Sequence, residues 1–180
     1  MSRSVWSVTQ SELRSAITGG VTPTYVAISG PGQAQASELT AAERVGSLLA
    51  ARGAVVVTGG LGGVMEAACR GAKSAGGITL GILPGLDRSE ANPWVDVALP
   101  TGMGEMRNAL LVRASDVLIA IAGEFGTLSE VALALKTGFP VVGLGTWELH
   151  KEGGAVAAFE QASEPEVAVE LAYSVLRVEE

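Results

Sequence analysis

The residues of this chain best suited to chemistry lie in two glycine-rich turns, and the chemistry that they favour is phosphate binding. The turns span residues 58–65 and 123–130, and each follows a short apolar run. Glycine lets the backbone turn sharply and approach a ligand with no Cβ in the way. A helix that begins at such a turn presents unpaired N–H groups and a partial positive charge. On neighbouring strands of one sheet, the two turns would form a site for a nucleotide or another phosphorylated ligand.

The first turn has more glycine than a connection between a strand and a helix requires. Four of the five residues 59–63 are glycines, which favours close approach of a ligand over a purely structural turn. A further glycine follows the first predicted strand. The residues that we expect to contact the phosphorylated ligand through these turns are Gly30, Gly59, Gly60, Gly62, Gly63, Gly123, Gly126 and Thr127.

The composition of the chain argues against several classes of function. The chain has 180 residues, enough for one domain, and a formal net charge of −7 with no cluster of Lys or Arg. Nucleic-acid binding requires a positive face, so we expect no nucleic-acid partner. No apolar run is long enough to cross a bilayer, and the N-terminus has no signal-peptide pattern. These features predict a soluble cytoplasmic protein with no membrane partner.

The single cysteine and the single histidine limit metal and nucleophilic chemistry. Cys69 has no partner for an intramolecular disulfide and lies on a predicted apolar helix face, so we expect it in the core. His150 lies in a predicted loop, where we expect an ordinary surface residue. A zinc site or a Ser–His–Asp triad usually needs more histidines than this. The sequence therefore predicts no metal site.

The elements that must position the glycine turns alternate between strand and helix. Strands are predicted over residues 25–29, 54–57, 78–83, 95–99, 116–121 and 141–144, and helices over residues 38–52, 63–75, 104–114, 127–137 and 165–176. This alternation predicts an α/β fold, a doubly wound, Rossmann-like parallel sheet with helices on both faces. The turns then lie beyond the carboxyl ends of the strands, where such sheets bind ligands.

The domain organisation follows from the same pattern. Residues 1–22 are expected to form a peripheral N-terminal segment with a short helix over residues 11–18, and residues 23–180 a single Rossmann-like domain. Ser37 is the predicted N-cap of the first long helix. The sequence shows no linker, internal repeat or second domain.

Three other classes of phosphate or cofactor protein lack support. Gly30 and Gly32 begin a dinucleotide fingerprint, but no third glycine lies at the required spacing. No GxxxxGK motif followed by Ser or Thr occurs, which excludes a P-loop NTPase. None of the lysines, Lys73, Lys136 and Lys151, lies in a context that suggests a Schiff base. A pyridoxal-phosphate lysine decarboxylase is therefore not indicated.

Two motifs, taken together and in order, are specific enough to indicate a family. Residues 122–130 are Ala-Gly-Glu-Phe-Gly-Thr-Leu-Ser-Glu, similar to a Pro-Gly-Gly-x-Gly-Thr-x-x-Glu segment, and Arg107 matches the arginine of a preceding Met-x-x-Arg-Lys segment. With the Gly59-Gly60 turn, they make residues 25–147 resemble the superfamily of the LOG-type phosphoribohydrolases and the molybdenum-cofactor carrier proteins. Some of its members have long carried the label "possible lysine decarboxylase".

The departures from the LOG signature resemble the carrier-protein branch of that superfamily. Asn108 stands in the lysine position, Glu124 replaces a glycine of the signature, and residues 87–93 also look like the carrier branch. That branch is associated with molybdenum cofactor, a pterin bearing a phosphate. The resemblance therefore implies a binding protein for a phosphorylated, nucleotide-like ligand, with Asn108 and Glu124 among its ligand-binding residues and no further cofactor required.

The resemblance also implies an alternative, an enzyme. LOG-type phosphoribohydrolases remove the base from a nucleoside 5′-monophosphate and release ribose 5-phosphate, and a paired arginine and glutamate are their implied catalytic residues. Arg107 and Glu130 occupy those positions here. A regulatory nucleotide sensor is a third possibility. Since the superfamily forms dimers or larger assemblies, the resemblance implies a homodimer or a homotetramer.

The chemistry of three residues leaves structural and functional interpretations open. Glu130 could complete a capping box with Thr127, or lie beside a ribose as a carboxylate that stabilises positive charge or orients water. Arg107 could be a solvated helix residue, pair with Glu130, or hold a phosphate with two hydrogen bonds. Glu124 would repel a phosphate close to it. It is compatible with a ligand that carries a hydrogen-bond donor, such as a pterin or guanine ring.

Overall fold

Residues 23–156 and 159–177, which the computed structural model describes, form a parallel sheet of seven strands with five α-helices packed on its two faces. The strands of the sheet are β1 (Tyr25–Ser29), β2 (Val55–Thr58), β3 (Ile78–Leu83), β4 (Val97–Pro100), β5 (Val117–Ile121), β6 (Val141–Leu144) and β9 (Glu160–Ala162), and β7 (Leu149–Lys151) and β8 (Gly154–Val156) form a separate hairpin. The helices are α1 (Ala36–Ala51), α2 (Val64–Ser74), α3 (Asn108–Arg113), α4 (Phe125–Lys136) and α5 (Pro165–Arg177). The predicted α/β, Rossmann-like fold is confirmed.

The order of the strands brings the ends of β1, β2 and β5 to one place. Across the sheet the strands run β4-β3-β2-β1-β5-β6-β9, and every neighbouring pair is parallel. The chain continues from β1 to β2 on one side, whereas β5 lies on the other side of β1. The order therefore reverses at this point, where sheets of this kind bind ligands. The sequence led us to expect the two glycine turns after neighbouring strands. Instead they follow β2 and β5, which are separated by β1.

The core forms on both faces of the central strands because successive side chains of a strand point to opposite faces. Val26 and Ile28 of β1 pack with residues of α1, α2 and α5, whereas Ala27 packs with residues of α3 and α4. Strands β2 and β5 are buried along their whole length. Continuous burial of this kind is typical of parallel strands covered on both faces.

Three predicted helix starts differ from the structure by two residues or more, and that of α4 is Phe125 rather than Thr127. The N-cap of α1 is Gln35 rather than Ser37, because Glu38 accepts a hydrogen bond from the Gln35 N–H at 2.7 Å. The predicted helix over residues 104–114 is a 3-10 turn, Gly104–Arg107, followed by the short helix α3. The tighter turn gives way to the α-helix immediately after Arg107.

Residues 145–162 carry strands that the sequence pattern does not predict. β7 and β8 pair in an antiparallel hairpin, and β9 pairs with β6 at the edge of the sheet. Each of these strands is three residues long. A strand of that length is too short to show a reliable alternation of apolar and polar residues.

The remaining expectations concern single residues and the ends of the chain. Cys69 is fully buried in α2, as expected. His150 is exposed, as expected, but it lies on β7 rather than in a loop. In the two ranges that the structure describes, no helix has the length and apolar character needed to cross a bilayer. The predicted peripheral segment over residues 1–22, with its helix over residues 11–18, lies outside the described residues.

Candidate functional site

A cleft of about 370 Å³ opens beyond the carboxyl ends of β1, β2 and β5. Segments that follow these strands line it together with the 3-10 turn before α3 and the first turns of α4. The lining includes Ser29, Gly30, Gly32, Gly59, Met65, Glu105, Arg107, Asn108, Glu124, Gly126, Thr127 and Glu130. Both the volume and the position at the reversal of strand order are typical of sites for small molecules.

A buried pair of opposite charges lies in the wall of the cleft. Arg107 ends the 3-10 turn, Glu130 lies in the second turn of α4, and Nη1 of the arginine is 3.4 Å from Oε1 of the glutamate. Arg107 is 8% exposed and Glu130 is 6% exposed. The Ser29 hydroxyl, at the end of β1, donates a hydrogen bond to Oε2 of Glu130. Three distant parts of the sequence thus meet at one carboxylate.

Burial changes the proton affinity of both charged groups. Removal from water raises the pKa of Glu130 above its ordinary value, although the Ser29 hydrogen bond and the charge of Arg107 act in the opposite direction. Removal from water also lowers the pKa of Arg107, a group that nevertheless stays charged at neutral pH. The buried Nε of Arg107 has no hydrogen-bond partner among the described residues. The guanidinium therefore has one buried donor that none of the described residues satisfies.

The turn after β2 is shaped around the Arg107 side chain. A Cβ at Gly59 would lie 2.3 Å from Nη2 of Arg107 and 2.7 Å from the sulfur of Met65. Only glycine leaves room for the guanidinium at this position. Asn92 holds the same turn in place, because its Nδ2 donates to the carbonyl oxygen of Gly60 at 3.2 Å and its backbone N–H donates to the same oxygen at 2.8 Å.

The start of α4 presents amide groups to the cleft. The first hydrogen bond of the helix runs from the Leu128 N–H to the Glu124 carbonyl oxygen, at 3.0 Å. The amides of Gly126 and Thr127 precede this bond and have no acceptor within the helix. The Glu124 side chain makes no capping hydrogen bond. The amides at the positive end of α4 are therefore suited to an anion.

A polar bridge fixes α3 against α4 beside these amides. Nδ2 of the buried Asn108 donates a hydrogen bond to the Ser129 hydroxyl oxygen at 2.7 Å. That hydroxyl in turn donates to the carbonyl oxygen of Gly126 at 2.8 Å. Asn108 thus contributes to the cleft both as a lining residue and as a link that positions the start of α4.

Two of the structural interpretations left open by the sequence are wrong. Glu130 does not form a capping box with Thr127, because α4 begins at Phe125 and the Glu130 carboxylate is bonded to Ser29 and Arg107. Arg107 is not a solvated helix residue, because its side chain is nine-tenths buried. The structure places both residues in the cleft instead.

Comparison with known proteins agrees with this architecture. A model of the SLOG cluster4 family matches residues 23–173. The chain belongs to this family. The matched region includes all of residues 25–147, the part of the sequence that carries the predicted resemblance, and continues through β9 into α5.

Two solved structures and one further relative show which proteins the chain resembles. The molybdenum cofactor binding protein of the phototrophic bacterium Rippkaea orientalis is 39% identical, with a TM-score of 0.78 over 86% of this chain and 98% of that one. The Moco carrier protein from Chlamydomonas reinhardtii is 34% identical, with a TM-score of 0.76 over 88% of this chain and 100% of that one. An uncharacterized protein of Archaeoglobus fulgidus is 44% identical over 119 residues, which are 66% of this chain and 78% of that protein. The predicted resemblance to the carrier-protein branch is confirmed.

The cleft of this SLOG cluster4 chain brings together most of the predicted site residues. Those that line it are Gly30, Gly59, Arg107, Asn108, Glu124, Gly126, Thr127 and Glu130. Their convergence is a structural finding, while their contact with a ligand, and any catalytic role of Arg107 and Glu130, stay predictions.

The other four predicted residues, Gly60, Gly62, Gly63 and Gly123, are not among the lining residues. At two of them, the backbone conformation and the close packing require glycine for a structural reason. Gly60 has a φ of 74°, and a Cβ there would lie 2.6 Å from Leu83. Gly63 has a φ of 65° at the N-cap of α2, and its Cβ would lie 2.3 Å from a carbonyl oxygen of the turn after β1. These two positions let the turn pack against its neighbours.

Sequence reasoning missed two polar residues of the cleft. Ser29 donates a hydrogen bond to Glu130, and Glu105 lines the cleft from the same 3-10 turn as Arg107. Ser29 carries a usable signal, since a serine at the end of an otherwise apolar, buried strand requires a hydrogen-bond partner. Glu105 lies in a segment expected to be an ordinary helix, and nothing in that pattern distinguishes it.

The raised pKa of Glu130 predicts a pH-dependent effect of Glu130→Gln. At pH values between the ordinary carboxyl pKa and the raised one, the Glu130 carboxyl is ionised in the unfolded chain but still protonated in the folded chain. Rising pH in this range therefore lowers the free energy of unfolding of the wild type. The free energy of unfolding of Glu130→Gln should therefore increase relative to wild type as pH rises above the ordinary carboxyl pKa of about 4.3. Urea denaturation at a series of pH values measures this difference. The exposed Glu152→Gln serves as control, and a difference for Glu130→Gln that stays constant or falls with pH would contradict the prediction.

Proposed function

We propose that this protein binds and holds a phosphorylated, nucleotide-like ligand in the cleft, and that molybdenum cofactor is the first candidate. The observation that carries the proposal is the Arg107 guanidinium, which is nine-tenths buried, has an unpartnered Nε, and lies in a cleft lined by the first turn of α4. A phosphate would provide acceptors for both sets of donors.

The charge of the cleft favours one phosphate rather than a polyphosphate. Arg107 is the single Lys or Arg among the cleft-lining residues that the structure describes, and Glu130 already neutralises part of its charge. The remaining attraction for an anion comes from backbone amides at the start of α4. A ligand with one phosphate and an uncharged ring system matches this supply of donors.

Molybdenum cofactor suits these features, since it combines one phosphate with a pterin. The similar proteins from Rippkaea orientalis and Chlamydomonas reinhardtii are named for binding or carrying it. In this chain, Arg107 and the amides of Gly126 and Thr127 would hold the phosphate, and Asn108 would keep the start of α4 in position. Binding of this kind needs no covalent step by the protein.

The proposed phosphate role of Arg107 predicts a loss of affinity on substitution. We use GMP, a stable phosphorylated ligand, and expect Arg107→Met to weaken binding about 10- to 100-fold, since a hydrogen bond to a charged group contributes about 1.5–3 kcal/mol. Isothermal titration calorimetry measures the dissociation constant. Arg113→Met, which removes an exposed arginine of α3, is the matched control and should bind like wild type.

A double variant separates loss of the phosphate contact from loss of the ion pair. Arg107→Met alone leaves Glu130 as an uncompensated buried charge, which destabilises the fold. In Arg107→Met/Glu130→Gln that charge is absent. The double variant should be more stable than Arg107→Met and still bind GMP weakly. Restored GMP binding in the double variant would show that Arg107 acts only through Glu130.

The second candidate function is hydrolysis of a nucleoside 5′-monophosphate, and the buried Glu130 is the observation that favours it. A carboxylate beside a ribose could stabilise the positive charge that develops at C1′ when the bond to the base breaks, or orient the attacking water. Against this, the Ser29 hydroxyl and Arg107 both engage the carboxylate. Glu124 also brings a second carboxylate into the same cleft.

Release of free base distinguishes the two functions. A binding protein should leave AMP intact over hours, as followed by chromatography of the products. An enzyme would release adenine and ribose 5-phosphate, and Glu130→Ala would abolish the release while still giving a folded protein by circular dichroism. That enzymatic result would contradict the proposed binding function.

We also propose that the chain forms a homodimer or a homotetramer through apolar residues beside the cleft. Met106 is 73% exposed, and Leu110 and Met103 are also exposed, although all three are large and apolar. A group of exposed apolar side chains of this kind is typical of an interface. Their position would place an interface next to the cleft.

Substitution of these residues tests the assembly. Met106→Glu/Leu110→Glu adds charge to the patch and should reduce the mass measured by light scattering to that of one chain. Val167→Glu, at an exposed apolar residue of α5, is the matched control and should leave the mass unchanged. A wild type that already has the mass of one chain would overturn this part of the proposal.

A further inference from the structure

An exposed aromatic side chain stands at the start of α4. Phe125, the first residue of the helix, is 80% exposed. Its ring centroid lies 5.9 Å from that of Trp147, and the two ring planes are inclined by 34°. Aromatic pairs at this separation attract one another, so Trp147 restrains the ring of Phe125 in an exposed position.

The aromatic pair adjoins the lining of the cleft along the chain at Phe125, although neither ring is part of that lining. Glu124 and Gly126, the residues on either side of Phe125, both line the cleft, and consecutive Cα atoms are about 3.8 Å apart. None of the described residues that line the cleft is aromatic. A planar ring that extends from a phosphate at Gly126 and Thr127 would therefore find an aromatic stacking surface only outside this lining, and the exposed Phe125 adjoins the lining in the chain.

Glu124 precedes Phe125 in the chain and is the N-cap of α4, so it adjoins both that aromatic residue and the amides proposed to hold the phosphate. It is exposed, lines the cleft and makes no capping hydrogen bond to its own helix. An ionised carboxylate is an acceptor with two oxygens and repels a phosphate. Its natural partner is a ring that presents neighbouring N–H groups, such as a guanine or a pterin, each of which carries an amino group next to a ring N–H.

We propose that Phe125, restrained by Trp147, is the stacking surface for the ring of the phosphorylated ligand, and that Glu124 selects rings with a 2-amino group by accepting their hydrogen bonds. This inference rests on the proposed binding function and adds the class of ring that the site prefers. The ring class is a 2-amino-4-oxo pyrimidine fused to a second ring.

Three ligands separate stacking, amino-group recognition and phosphate binding. GMP has the ring and the 2-amino group, IMP has the ring without that amino group, and ribose 5-phosphate has neither. Wild type should bind GMP more tightly than IMP, and IMP more tightly than ribose 5-phosphate. Isothermal titration calorimetry with the purified full chain measures all three dissociation constants.

Substitutions at the two residues should act on different ligands. Phe125→Ala should weaken GMP and IMP binding by about 5- to 150-fold, the range that stacking on one aromatic side chain provides, and leave ribose 5-phosphate unchanged. Phe125→Tyr retains a ring and should bind GMP like wild type. Glu124→Ala should abolish the preference for GMP over IMP, and circular dichroism confirms that each variant is folded.

The possible failures are distinguishable. If wild type binds GMP tightly and Phe125→Ala does not weaken it, the stacking surface is refuted while the proposed binding function stands. If Phe125→Ala weakens ribose 5-phosphate as much as GMP, Phe125 acts by shaping the helix start, and the stacking surface is again refuted. If Glu124→Ala keeps the preference for GMP, the role of Glu124 is refuted. If wild type binds none of the three ligands, the proposed function and this inference both fail.

Discussion

The buried pair of Arg107 and Glu130 constrains the architecture around the cleft, because charges removed from water need compensating partners nearby. Ser29 at the end of β1 supplies a hydrogen bond to the glutamate. The turn after β2 has a glycine, Gly59, where any side chain would collide with the guanidinium. Asn108 and Ser129 hold the helices that carry the pair in register. Breaking such a buried pair by removing one partner typically costs about 3–5 kcal/mol.

The same pair explains how a chain with a net charge of −7 could bind an anion. A guanidinium held in low-dielectric surroundings beside helix amides interacts more strongly with a phosphate than an exposed lysine would. The positive charge of the cleft is nevertheless limited, because Glu130 offsets part of the charge of Arg107 and Glu124 adds a second carboxylate to the lining. These features are the reason that we propose a ligand with a single phosphate and a ring that donates hydrogen bonds.

Much of the fold could be predicted from the sequence, because buried parallel strands and amphipathic helices leave clear periodic patterns. The short strands β7 to β9 leave no such pattern. The cap of α1 was missed because glutamine is not among the preferred N-cap residues, although Glu38 is the residue that a capping box uses at the third helical position. The position of the site was predictable, because the glycine-rich turns that line it follow strands of the sheet. The pairing of Arg107 with Glu130 was one of the interpretations that the sequence left open. The burial of Arg107 and the hydrogen bond from Ser29 to Glu130 were not predictable, because they arise only when segments far apart in sequence meet. The packing of Gly60 and Gly63 likewise depends on neighbouring turns.

The central claim is that the protein holds a phosphorylated ligand through Arg107. Native mass spectrometry of the purified wild type, expressed in a host that makes molybdenum cofactor, tests it most directly when the mass and identity of any released small molecule are determined. The account predicts that wild type carries a pterin phosphate or a nucleotide with one phosphate, and that Arg107→Met/Glu130→Gln, folded and purified in the same way, carries none. A wild type without ligand that converts added AMP to adenine and ribose 5-phosphate would contradict it.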